Sequence, residues 1–97
     1  MNNIKDVYGS DLARRILIWI RHGAHKPTQI SGNIDESNQL VSKYLRSLED
    51  ENLIERSRDG RSVFCSLTEK GERLSNLSEE IYWKEKKVEE LKEADTQ

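Results

Sequence analysis

The hydrophobic period of this chain changes at Asn52 and changes back at Thr68, and those two switches restrict the fold more than anything else in it. Before Asn52 the apolar residues recur at helical spacing. Leu12, Ile16, Trp19 and Ile20, widened by Ala13 and Leu17, predict a first helix over residues 11–22, with Ser10 as N-cap, Asp11 at the positive end of its dipole and Gly23 past its end. Pro27 then marks a loop. A short second helix is expected over 28–34, capped by Thr28, with Ile30 and Ile34 four apart on one face. Asp35 offers a further N-cap for a third helix over about 36–51, whose Leu40, Val41, Tyr44, Leu45 and Leu48 make one buried stripe.

Beyond Asn52 the pattern shortens to that of strands. Residues 53–56 and 62–67 read as two strands around Ser57-Arg58-Asp59-Gly60-Arg61, where Asp-Gly is a strong hairpin signal. Thr68 caps the next helix, and Gly71 early in it, where glycine is unfavourable by up to about 1 kcal/mol relative to alanine, implies a packing need. That helix is expected to run over about 69–94, roughly 39 Å at 1.5 Å per residue. Leu74, Leu77, Ile81, Val88 and Leu91 fall on a and d positions of a heptad, with Lys84 interrupting one d site. The other faces are nearly all Glu and Lys, so the stripe is best covered by a second copy of the chain. The expectation is a mainly α fold with a small β-hairpin: a domain over 1–68, then a coiled-coil-like dimerisation helix over 69–97.

Composition narrows the class. Only 34% of the 97 residues are apolar and 35% are charged, a thin supply for a lone globule and suited to long exposed helices. No apolar run approaches a membrane span, and residues 1–8 lack the layout of a secretion signal, so a cytoplasmic protein without membrane contact is expected. One cysteine, Cys65, excludes an internal disulfide framework and reads as a small buried side chain. The net charge of −2 is unevenly spread. Residues 1–62 hold ten Lys/Arg against nine Asp/Glu, and residues 63–97 hold six against nine.

The order of elements and two motifs carry a resemblance. Leu40 and Tyr44-Leu45-Arg46-Ser47-Leu48-Glu49, leading into Asn52-Leu53-Ile54-Glu55-Arg56, look like a recognition helix running into a wing. Leu67-Thr68-Glu69-Lys70-Gly71 is similar to the motif that closes the wing and opens a dimer helix. Together, over about residues 11–75, they resemble winged helix-turn-helix transcriptional regulators of the MarR, PadR and ArsR kind, compact archaeal or viral members in particular. The resemblance implies a dimeric, non-enzymatic regulator of double-stranded DNA, a repressor by promoter occupancy, with no cofactor and an unspecified effector.

In a helix-turn-helix the exposed face of the second helix enters the major groove. With the apolar stripe turned inward, Ser37, Asn38, Gln39, Ser42, Lys43 and Arg46 face out, a set of amides, hydroxyls and cations that can read base edges and hold phosphate. Arg56, Arg58 and Arg61 surround the wing turn and could reach the DNA backbone or minor groove. Thr28 and Gln29 open a helix whose backbone amides can hold a phosphate. Arg14, Arg15, Arg21 and Lys26 add positive charge near the first helix. A solvated helix face and a soluble hairpin tip are the plainer readings of the same residues. An architectural or partition protein of low sequence choice, or a protein-interaction adaptor, would share them. His22 and His25 read as helix-end residues rather than a metal pair, and Tyr82 and Trp83 as packing or dimer contacts rather than a ligand cradle.

Overall fold

The computed structural model describes residues 9–81. Three helices come first, α1 (Asp11–Arg21), α2 (Pro27–Ile34) and α3 (Asn38–Asp50), then strands β1 (Ile54–Asp59) and β2 (Ser62–Leu67), and then α4, helical over the described residues 69–81. Val88 and Leu91 of the expected pairing stripe, the interrupting Lys84, and Tyr82 and Trp83 lie outside the described residues.

Helix α1 starts as its sequence dictates. The Ser10 hydroxyl accepts from Ala13 N at 3.2 Å, and Asp11 stands in the first turn. Its buried face is Ala13, Ile16, Leu17 and Ile20. Trp19, read from its spacing as part of that stripe, instead lies at the stripe's edge with 37% of its surface exposed. The helix ends through His22, and Gly23 follows with φ 107, a conformation that glycine alone adopts without strain.

Helix α2 begins one residue earlier than expected. Pro27 is its first residue rather than part of a loop, because a first-turn position needs no N–H and favours proline's fixed φ. The residue at the N-cap is therefore Lys26, not Thr28, and the stabilising side chain is Gln29, whose Oε1 accepts from Lys26 N and His25 N, both at 3.1 Å. Asp35, expected to open α3, closes α2 in the left-handed region at φ 64. Ser37 takes over as the N-cap of α3, accepting from Leu40 N at 3.1 Å, so α3 starts at Asn38 rather than near Glu36.

A left-handed residue also ends α3. Asn52 has φ 61, with Asn52 N donating to Glu49 O and Leu53 N to Leu48 O, both at 2.9 Å, the paired bonds of a Schellman motif. This turn sends the chain directly into β1. The two strands pair antiparallel from Ile54↔Leu67 to Asp59↔Ser62, leaving Gly60-Arg61 as a two-residue loop. The hairpin is thus longer and its loop shorter than the sequence suggested, since Ser57, Arg58 and Asp59 belong to the ladder. Gly60 at φ 64, followed by a residue without positive φ, has the sign pattern of a II′ turn.

The core gathers one face from each element. Ile16, Leu17, Ile20, Ile30, Val41, Leu45, Leu48, Leu53, Ile54 and Cys65 form its centre, with Leu12, Tyr44, Leu67 and Leu74 packed around it. Burying a leucine or isoleucine side chain stabilises by about 1.5–3 kcal/mol, so these contacts dominate the fold. The α1–α2 connection is tied to the sheet, because Cys65 N donates to His25 O at 2.7 Å. Thr68 ties the start of α4 to the end of α3: its hydroxyl accepts from Gly71 N at 3.0 Å and donates to Asn52 O at 2.7 Å. Leu74, the first residue of the expected pairing stripe, is half-buried against the domain's own core. Leu77 and Ile81 remain 58% and 50% exposed. Among the described residues no helix is long and apolar enough to cross a membrane.

Candidate nucleic-acid interface

The outer side of α3 is set by what its inner side buries. Val41, Leu45 and Leu48 are enclosed, Leu40 and Tyr44 are half-buried, and the opposite face is left to polar residues. Ser37, Asn38, Gln39, Lys43 and Arg46 are exposed, and Ser42 is half-buried at the border. Gln39, Lys43 and Arg46 lie at i, i+4 and i+7, one ridge of the helix. A side-chain amide, an ammonium and a guanidinium in a row can donate to base edges and phosphate oxygens along a groove.

Two members of the expected set are engaged inside the fold. The Ser31 hydroxyl lies between the Thr28 carbonyl oxygen, at 3.1 Å, and the Asn38 side-chain amide. Both partners are acceptors, so the single Ser31 hydroxyl proton goes either to that carbonyl or to Asn38 Oδ1, and in the second case Asn38 fastens α2 to the first turn of α3. The Ser37 hydroxyl is the cap described above. Both residues keep exposed surface, but their side chains already serve the geometry of the turn.

At the opening of α2, Thr28 and Gln29 are exposed, and the Gln29 side-chain Oε1 is committed to the backbone amides of His25 and Lys26. Lys26 lies over the Phe64 ring, 5.4 Å from its centroid, which holds this cation against the base of the hairpin. The hairpin tip carries Arg58 and Arg61, both exposed and without an ion pair among the described residues. Arg56, grouped with them on sequence, is different. Its Nε and Nη2 donate to Glu49 Oε1 at 3.0 and 2.7 Å, and the guanidinium is half-buried beneath the wing. Glu49 carried no signal of this role in the sequence, since its partner is reached only after the chain has turned back past Asn52.

Basic residues of α1 point elsewhere. Arg21 bonds Asn76 and stands 3.9 Å from Glu79, while His22 Nε2 meets the same Glu79 Oε1 at 2.9 Å, so all four stitch α1 to α4. Arg14 and Arg15 border a cleft of about 470 Å³ with Asp11, Trp19, Asn33, Ser78 and Ile81. His25 Nδ1 lies 3.2 Å from Cys65 O, so the two histidines serve separate contacts, and among the described residues no three metal-ligating side chains converge. Burial pushes the Cys65 thiol above its ordinary range; nearby Arg56 partly offsets this and Glu49 adds to it.

Solved structures share this arrangement. The zinc-responsive MarR-family member ZitR of Lactococcus lactis superposes with a TM-score of 0.72 at 27% identity, over 88% of this chain and 60% of that one. ZitR in complex with DNA gives 0.74 at 26% identity, over 86% and 63%. The adhesin competence repressor of Streptococcus pyogenes gives 0.80 at 18% identity, over 91% and 66%, a likeness of fold alone. The chain spans about 60–66% of the length of these three structures. No curated protein matches it in sequence. The winged helix-turn-helix family model matches residues 10–86, and the chain belongs to that family.

Proposed function

We propose that this protein is a dimeric, sequence-specific DNA-binding regulator that represses by occupying promoter DNA. The observation that carries the reading is the two-sidedness of α3: its apolar stripe is buried while Gln39, Lys43 and Arg46 form an exposed ridge. That ridge lies in the major groove, with Gln39 suited to adenine, Arg46 to guanine or phosphate, and Lys43 to phosphate. Arg58 and Arg61 at the wing tip grip the backbone or minor groove to one side. The DNA complex of ZitR, at 26% identity, supports this assignment.

The net charge of −2 does not oppose it, because the acidic excess belongs to residues 63–97 and charges beyond roughly 8–10 Å are screened at ordinary salt. Pairing two copies through Leu77, Ile81, Val88 and Leu91 presents two ridges and two wings, with half-sites about 10 bp apart or a multiple. Selection of bound duplexes from a random DNA pool tests the reading. Enrichment of a two-fold repeated motif, bound at least ~10³-fold tighter than unselected duplex, is expected of a regulator. Uniform recovery would instead indicate an architectural protein, and no recovery a protein-interaction module.

A further inference from the structure

On the hairpin's first strand, contact with the body of the domain ends at one ion pair. Along β1 the side chains pass from buried Ile54, through exposed Glu55 and half-buried Arg56, to exposed Ser57, Arg58 and Asp59. Arg56 is therefore the last residue of that strand held inward. Glu49, in the last turn of α3, holds it: two N–H groups of one guanidinium converge on one carboxylate oxygen at 3.0 and 2.7 Å. With the two side chains 29% and 38% exposed, the pair is open enough to water to add little to stability. A planar guanidinium held through two donors nevertheless fixes direction as well as distance.

We infer that Glu49 and Arg56 form a clasp that sets the angle between recognition helix and wing, and that Arg56 is a positioning residue rather than a phosphate contact. The inference rests on the DNA-binding reading above and adds how its two contacting elements are kept in register. The turn at Gly60 lies four residues beyond Arg56, roughly 13 Å along a strand. A rotation of about 10° at the root then moves the tip by about 2 Å, enough to break a charge-assisted bond to phosphate whose length is about 2.7–2.9 Å. Room for that rotation exists, because a cleft of about 360 Å³ bordered by Ser57, Arg58 and Val63 lies beside the pair. The clasp also neutralises Glu49, which left alone would repel DNA from the end of the helix meant to hold it.

The test uses the full chain and a duplex selected from a random pool, followed by fluorescence anisotropy at several salt concentrations. Glu49→Ala and Arg56→Ala should each weaken binding by a similar factor, about tenfold, as expected of coupled neighbours. The slope of log K against log salt should flatten to the same extent in both single variants, because both release the same wing contacts with phosphate, and the charge-swapped double variant Glu49→Arg with Arg56→Glu should recover most of the affinity and of the slope. Loss on Glu49→Ala is the telling result, because removing a negative charge should otherwise tighten binding to a polyanion. The inference is overturned if Arg56→Ala flattens the slope by about 0.9 while Glu49→Ala binds equally well or better, the behaviour of a phosphate contact. Backbone ¹⁵N relaxation of the free protein separates this from the parent reading. If wild-type protein retains no duplex, the DNA reading fails, and unchanged wing order at Arg58 and Arg61 in both single variants would sink the clasp as well.

Discussion

Gly71 packs against the backbone of Leu53 so closely that a Cβ built on it would overlap the Leu53 carbonyl oxygen and come within 3.0 Å of its carbon. The same carbonyl accepts from Thr68 N at 3.1 Å, so it cannot easily give way. Helix propensity alone makes Gly→Ala favourable by up to about 1 kcal/mol, whereas forcing atoms into a filled space is unfavourable by about 1–3 kcal/mol. The packing effect should win. Gly71→Ala is expected to lower the urea midpoint, and a rise in the midpoint would show that α4 does not seat on Leu53 as described.

Cys65 gives stability an alkaline limit. Burial raises its folded pKa, so the neutral thiol is the form the fold favours. Below the ordinary thiol range, near 8.5, both states keep the proton and this group adds no pH dependence. Above it the unfolded chain ionises first and unfolding is favoured, with a slope that approaches about 1.4 kcal/mol per pH unit until the folded thiol also ionises. Wild-type protein should therefore lose stability more steeply than Cys65→Ala as pH rises above about 8.5 in denaturant titrations. Parallel curves would contradict the buried placement.

Leu77 and Ile81 share the exposed side of α4 where Leu74 turns inward. If they pair two copies, placing carboxylates there introduces unpaired charge into an apolar contact. Leu77→Asp with Ile81→Asp should sediment as a monomer in analytical ultracentrifugation, with the domain still folded because neither residue belongs to its core. A persisting dimer would assign the contact to another surface.

Much of the domain was legible because local signals agreed with one another. Ser10 and Thr68 cap the helices they precede, and of the α3 residues its spacing named, Val41, Leu45 and Leu48 are buried and Leu40 and Tyr44 half-buried, while buried Ser47 carried no apolar signal. The errors fall where one residue type serves two purposes. Asp35 can open a helix or, as here, close one in the left-handed region, and Pro27 can interrupt a helix or begin one. The polar run from Ser57 to Asp59 reads as loop because its pairing partners lie across the turn. On the candidate interface, exposure of Gln39, Lys43 and Arg46 followed from helical period alone. The Arg56–Glu49 clasp did not, since it depends on the direction in which the hairpin leaves α3.

The most direct test of the account is the salt dependence of duplex binding by wild-type protein and by the double variant Lys43→Ala with Arg46→Ala, measured on a selected duplex from about 50 to 200 mM salt. Both side chains lie on the outer ridge of α3 and outside the core, so the variant should melt like the wild type. Binding should weaken by tenfold or more, with the slope of log K against log salt smaller by about 0.9 for each phosphate contact removed. Equal affinity and equal slope for the two proteins would mean that this face of α3 does not meet DNA.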